Sequence, residues 1–282
     1  MIQKIKKIAR ENKQTVGIGV SPSKKEYISR TIKAAESAVK QKNADIVLVG
    51  DKNEIESVGI SSRLHIHHSL HPERTLVELV KKQKIGGAVR GSLGASKFLK
   101  EIKQQFKVST LYRIALLETA SKFSFFFAPI GIDEGTKLAE KVTLVRAGVS
   151  LLKFLKLDQE PIGILSGGRM GDIGRNPRVD KTIAEAEELI SILNKQGISN
   201  NAHHHEILIE DAITARCRII IAPDGISGNL IYRTLVHLGN GKSHGAWYYN
   251  LPRPIIDTSR VGPIFEYESA IAFASAVASK SS

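Results

Sequence analysis

Two short stretches of this 282-residue chain gather side chains that can hold an anion and act on a carbonyl group. The first is Ala222-Pro223-Asp224-Gly225-Ile226-Ser227-Gly228-Asn229, and the second is Ile256-Asp257-Thr258-Ser259-Arg260. Each follows an apolar run that reads as a buried strand, the first of them Arg218–Ile221. After Pro-Asp-Gly and Ser-Gly-Asn a helical pattern begins at Leu230. Backbone N–H groups are then open at a helix N-terminus, where an anion or a carbonyl oxygen can sit. Ser227 and Asn229 add side-chain donors, while Asp224 reads either as a site carboxylate or as turn chemistry. The second stretch delivers Asp257, Thr258, Ser259 and Arg260 together at a strand's carboxyl edge, where open α/β sheets bind ligands. The planar fork of Arg260 suits phosphate; the plainer alternative is a structural ion pair.

Other chemistry-bearing residues offer weaker cases. The segment Gly167-Gly168-Arg169-Met170-Gly171-Asp172-Ile173-Gly174 reads as an anion loop or as a flexible connection, and no P-loop Lys-Ser/Thr follows it. His203-His204-His205-Glu206 alternates sides on an extended chain, so at most two of its histidines can aim at one ion. A solvated loop before a strand is the expectation there, and no metal site is assigned. His65, His67 and His68 alternate on an expected strand. Cys217, the single cysteine, excludes a disulfide framework and reads as a near-core residue. Phe123-Ser124-Phe125-Phe126-Phe127 reads as core or dimer interface.

The elements that must position these residues alternate strand and helix. Strands are expected at Thr15–Val20, Ala44–Gly50, within the strand and turn Gly87–Gly91, and at Leu111–Leu116, Phe123–Pro129, Pro161–Leu165, Glu206–Ile209, Arg218–Ile221, Ala246–Tyr249 and Ile255–Ile256. Helices are expected at Lys24–Lys42, Arg74–Lys84, Lys97–Gln105, Thr136–Leu155, Asp180–Gln196, from Leu230, and at Tyr267–Ser279. Repeated βαβ units imply doubly wound α/β architecture with parallel sheets. Hydrophobic content of 42% with 24% charged residues is that of an ordinary globular protein. No run approaches the roughly 20 apolar residues of a membrane span, and the basic start Met1–Lys7 lacks the apolar block of a signal peptide. A cytoplasmic location is expected. A net charge of +13 suits an anionic small molecule or an acidic partner. The cations are spread along the chain without an Arg-rich aromatic block, which sets nucleic acid aside.

Several separated motifs agree in order and spacing with one family. Val89-Arg90-Gly91-Ser92 with Phe98-Leu99-Lys100, Leu165-Ser166-Gly167-Gly168-Arg169 with Pro177-Arg178-Val179-Asp180-Lys181, Pro223-Asp224 with Gly228-Asn229, and Asp257-Thr258-Ser259-Arg260 resemble the phosphate acetyltransferase and phosphate butyryltransferase family. The likeness runs from about Thr15 to Ala276. Within it the chain is most similar to a methanogen group called methyltransferase subunit X, or methanogenesis marker protein.

The resemblance implies two doubly wound α/β domains with a cleft between them, of the isocitrate/isopropylmalate dehydrogenase-like, phosphate acyltransferase type. The first would comprise residues 1–112 and 246–282, the second 113–245. It implies a homodimer and transfer of an acyl group between coenzyme A and phosphate. No cofactor is permanently bound; a coenzyme A thioester, acyl phosphate or phosphate is the expected substrate. Ser259 matches the family serine at the transferred group and Glu266 falls where the family has an Asp, a candidate base, with Glu268 its rival. Arg260, Asp257, Asp224, Ser227, Asn229, Arg90, Ser92 and Ser166 are the expected substrate-binding residues. Val261-Gly262-Pro263-Ile264-Phe265 is bulkier than the usual loop. Only a few residues separate Asp211-Ala212-Ile213 from the Arg218 strand, where the family has a longer connection with a helix, so a pared second domain is expected. The other reading is a methanogenesis-associated methyltransferase subunit or accessory protein on this fold, with a methyltransferase partner. Neither an S-adenosylmethionine glycine motif nor a corrinoid Asp-x-His-x-x-Gly signature is present.

Overall fold

A computed structural model describes residues 1–59 and 63–280. The chain forms two compact units, Met1–Leu111 together with the stretch from His244 onward, and Tyr112–Ser243. In the first, the helix α1 (Ile2–Glu11) precedes β1 (Gln14–Gly19), α2 (Lys25–Lys40), β2 (Ala44–Gly50), α3 (Lys52–Glu56), β3 (His65–His68), α4 (Pro72–Lys81), β4 (Gly87–Val89) and α5 (Ala95–Phe106). The second unit holds β5 (Tyr112–Glu118), β6 (Ser124–Ala128), α6 (Leu138–Phe154), β7 (Ile162–Ile164), α7 (Pro177–Lys195), β8 (Ala202–His204), α8 (Ile209–Thr214), β9 (Ile219–Ile221) and α9 (Gly225–His237). The chain returns to the first unit along β10 (Lys242–Tyr249), then β11 (Ile255–Asp257) and α10 (Ile264–Ser279).

The strands of the first unit run in the order β3-β2-β1-β4-β11-β10. All pair in parallel except β10 with β11. Their registers, such as Val16↔Ile46 and Ile256↔Val89, bury the short Val- and Ile-rich cores of β1, β4 and β11. The helix α10 packs on α1, α2, β1 and β4, whereas α4 packs on α5 and the opposite face. From Glu266 to Ala278 nearly every residue of α10 is buried, and its Ala and Ser side chains let neighbours approach closely. Chain leaving β1 enters α2 on one face, and chain leaving β4 enters α5 on the other. In open α/β sheets, loops that diverge in this way mark the carboxyl edge of the strands as the place for a ligand.

In the second unit the order is β5-β6-β9-β7-β8, with β6, β9, β7 and β8 parallel and β5 and β6 an antiparallel hairpin. Phe125, Phe126 and Phe127 are all buried, so the aromatic run is core on both faces of β6. Cys217 is buried too, and burial pushes its thiol up to about 11.

Met1–Lys7, to which the sequence pattern assigns no element, opens a helix, α1, whose Ile5 and Ala9 are buried. Three expectations need correcting. The strand placed at Glu206–Ile209 lies earlier, at Ala202–His204, because Ala202 pairs with Ile162 and Glu206 takes φ +55°, which ends the extended run. Asp211-Ala212-Ile213 belongs to a helix, α8, so this connection does contain one. The helices α9 and α10 begin at Gly225 and Ile264, ahead of the expected Leu230 and Tyr267. Among the described residues no helix is long and apolar enough to cross a membrane.

The packing of β6 sets a test. Replacing fully buried Phe126 by alanine should cost about 3–5 kcal/mol. A urea titration with an unchanged midpoint would refute its place in the core.

Candidate active site

The loops that leave β4 and β11 are neighbours because those strands pair in parallel. Arg90, one residue past β4, is only 6% exposed, and its guanidinium is fully engaged inside the protein. It pairs with Asp257, donates to the Thr258 carbonyl and donates at 2.5 Å to that of Leu93. Burial works against its charge, but Asp257 outweighs burial and holds the guanidinium protonated. The Thr258 hydroxyl donates across to the Gly91 carbonyl at 3.1 Å. Gly91 has φ +61°, and a Cβ there would strike the Gly19 backbone, so only glycine fits this turn. Ser92 stitches the loop after β1: its Oγ accepts the Ser21 N–H at 2.9 Å and its N–H donates to Gly19. Arg90, Ser92 and Asp257, expected to contact substrate, thus form the frame on which the outer residues stand.

What the frame presents is Ser259 and Arg260. The Ser259 N–H donates to Glu266 Oε1 at 2.8 Å, and the Tyr267 hydroxyl donates to the Arg260 carbonyl at 2.9 Å. Their backbone is therefore fixed while the Ser259 hydroxyl has no hydrogen bond among the described residues. Arg260 is exposed, and its guanidinium makes no ion pair among them. Its Nη2 would lie 2.8 Å from a Cβ built on Gly94, which places the cation against the N-cap of α5. No side chain caps α5, and Ala95, Ser96 and Lys97 of its first turn are exposed. A guanidinium, a hydroxyl and open N–H groups at a helix N-terminus together can hold a phosphate-like dianion. Glu266 takes another post than the expected base: it is 2% exposed and serves the Ser259 loop. Glu268, its rival, is half-buried on α10. The surrounding unit is strongly basic, with 25 Lys and Arg against 13 Asp and Glu, whereas the other unit has 16 against 15.

The remaining candidates lie in the second unit and mostly hold it together. Asp224 is the N-cap of α9, accepting the Ser227 N–H at 2.8 Å and lying 3.4 Å from Arg178 Nη2. Asn229 donates to the Ile130 carbonyl at 2.8 Å. A Cβ on Gly225 or Gly228 would collide with the carbonyls of Gly131 and Pro129. Glycine there serves close packing of α9 on the loop after β6. That loop is pinned by Arg113 and Glu134 at 2.6 Å, and burial raises the Glu134 carboxyl despite the cation. Ser166 is 2% exposed and donates to the Gly168 carbonyl. The glycine-rich segment is not an open anion cradle. The N–H groups of Gly167, Arg169, Met170 and Gly174 already donate to Thr182, Asp172, Glu206 and Asp180. The histidine run is no solvated loop either, since His204 closes β8 with its side chain 7% exposed. Among the described residues no group of three or more His, Cys, Asp or Glu could hold a metal ion.

No family model matches the chain. The "Putative methyltransferase mtx subunit X" of Methanosarcina barkeri is 40% identical over 269 residues, 95% of each chain. The phosphate butyryltransferase of Clostridium acetobutylicum is 22% identical over 277 residues, 88% of this chain and 89% of its own. A phosphotransacetylase from Streptococcus pyogenes superposes with a TM-score of 0.73 at 15% identity, over 99% of this chain and 97% of its own. At that identity the likeness is one of fold.

The two arginines should separate cleanly. Arg90→Ala leaves Asp257 buried without its cation and should cost about 3–5 kcal/mol, whereas Arg260→Ala should stay within about 0.5 kcal/mol. Equal thermal midpoints for both variants would refute the frame. Asp224 supplies a pH test. Burial alone would raise its carboxyl, but the Ser227 hydrogen bonds and Arg178 prevail and lower it. A folded-state value below the unfolded one adds stability above about pH 4 that is lost as pH falls through the folded value. The stability gap between wild type and Asp224→Asn should therefore narrow on acidification below about pH 4; a gap that widens would contradict the assignment.

Proposed function

Because the chain belongs to the family of methanogen proteins named for methyltransferase mtx subunit X, and shares its fold with a phosphotransacetylase, we propose that it is a transferase of the phosphate acyltransferase type. It moves an acyl group between the thiol of coenzyme A and inorganic phosphate. The observation that carries this reading is the exposed Arg260 guanidinium, without an ion pair among the described residues, set against the uncapped N-terminus of α5 and one residue from the Ser259 hydroxyl.

The chemistry follows from those parts. Phosphate rests on Arg260 and the first-turn N–H groups of α5, its charge balanced and one oxygen free to attack. Attack on a thioester carbonyl forms the C–O bond and places negative charge on the former carbonyl oxygen. Collapse breaks the C–S bond and releases thiolate, which takes up a proton. The Ser259 hydroxyl is suited to donate to the oxyanion or the departing sulfur. Glu266 holds Ser259 in that position through its backbone N–H. The basic first unit draws anionic substrates toward this edge. For a partner, a second copy of the chain is the first choice, and exposed Ile226 and Leu230 on α9 offer it apolar surface.

The test is to incubate the purified protein with acetyl- or butyryl-coenzyme A and phosphate and to follow thiol release. Arg260→Ala should raise the KM for phosphate about 10- to 100-fold, the loss expected for hydrogen bonds to a charged group. Ser259→Ala should lower kcat by about 100-fold or more. No release by the folded protein, with a methyltransferase subunit co-purifying, would turn the assignment to an accessory role in methyl transfer. Turnover untouched by both substitutions would remove the site.

A further inference from the structure

Three side chains of the second unit form an unbroken hydrogen-bond chain. His204 ends β8, Ser166 follows β7, and Glu187 lies on α7, which packs against β8. His204 Nδ1 is 2.7 Å from Glu187 Oε1, and its Nε2 is 2.9 Å from Ser166 Oγ. The Ser166 hydroxyl in turn donates to the Gly168 carbonyl at 2.8 Å. Exposure falls steeply along the chain, from 57% for the Glu187 side chain to 7% for His204 and 2% for Ser166. One end meets water, and the other is closed under the glycine-rich turn.

Counting donors shows what the chain does. A carboxylate only accepts, so Nδ1 must carry a proton toward Glu187. If Nε2 is protonated as well, it donates to Ser166 Oγ and the hydroxyl proton is free to hold the Gly168 carbonyl. If Nε2 is bare, it competes with that carbonyl for the single hydroxyl proton, and one acceptor goes without. A buried acceptor without a donor costs about 1–3 kcal/mol, enough to shift a turn. The same turn is held from α7 by Thr182, which accepts the Gly167 N–H at 2.7 Å, and by Val179 packed against Gly168. Burial keeps Ser166 from an external acyl group, so it is no nucleophile. Its effect passes through Gly168.

We propose that Glu187 and His204 are positioning residues that couple the uptake of one proton to the conformation of the Ser166–Gly168 turn at the carboxyl edge of β7. The groups facing this imidazole are few. Glu187 comes from α7, Ser166 follows β7, and His203, His205 and Glu206 flank it in sequence, with Asp211 of α8 acting on His205. Glu185, also on α7, turns instead to Lys141 at 2.7 Å. The inference stands apart from the acyl-transfer reading, since its readout needs no substrate.

The experiment is an NMR titration of the isotope-labelled full chain across about pH 5–8. The ring nitrogens of His204 and the amides of Gly167 and Gly168 should move with one common midpoint. In His204→Gln the two glycine amides should lose their pH-dependent shift. In Ser166→Ala the imidazole should still titrate while the glycine amides stay flat, which isolates the hydroxyl as the link. Glycine amides that stay flat in the wild type would overturn the proposal. So would amides that still follow pH in either variant. Should His204→Gln fail to fold, Ser166→Ala, which removes a single hydroxyl, decides the question.

Discussion

The placing of Ser259 and Arg260 in the first unit rests on the buried pair of Arg90 and Asp257. Two opposite charges taken out of water gain little unless their remaining hydrogen-bonding capacity is met. Here the guanidinium meets three acceptors, the Asp257 carboxylate and the carbonyls of Thr258 and Leu93. Those acceptors belong to the two loops that leave β4 and β11, so the pair fixes the distance between them. Ser259 and Arg260 follow directly and have no other choice of starting point. The interaction sets a geometry more than it adds stability, and the geometry is what the site requires.

Two arginines a short way apart in space thus serve opposite ends, and burial alone distinguishes them. Arg90 has every donor directed inward; Arg260 has its backbone carbonyl held by Tyr267 and its side chain left outward. The same division separates Glu266, which is spent on a backbone N–H, from a carboxylate free to take a proton from substrate. The charge imbalance between the units fits this arrangement, because the surplus of cations lies on the unit that carries Arg260.

The sequence was most legible where periodicity and length agree. The apolar alternation of β1 and β2 around α2 requires a parallel unit, and the Phe-rich β6 beside β5 reads as a hairpin. Short elements were hidden: three residues of β8 carry two histidines and no apolar pattern, so only pairing with β7 identifies them as a strand. The early start of α9 was written in Asp224-x-x-Ser227, an N-cap spacing, but the apolar pattern from Leu230 drew the boundary inward. For the site, residue type pointed to the loops after β4 and β11, which leave neighbouring strands. It could not say which side chains turn inward, because that depends on partners distant in sequence, such as Asp257 for Arg90 and Glu187 for His204.

The Pro-Asp-Gly…Gly-Asn stretch shows why such a pattern needs its packing context. Glycines before a helix are compatible with an anion cradle, and equally with a helix pressed onto a neighbouring backbone. Here the carbonyls of Gly131 and Pro129 occupy the space that a Cβ at Gly225 or Gly228 would take. Asp224 fills the cap position that an anion would otherwise occupy, and a carboxylate already there repels a second negative charge. By contrast α5 has glycine at its N-cap, no acidic residue in its first turn, and a cation against it. Of the two helix starts, only α5 leaves its cap position free of an acidic side chain of its own, with Arg260 and the Glu73 carboxylate both beside Gly94.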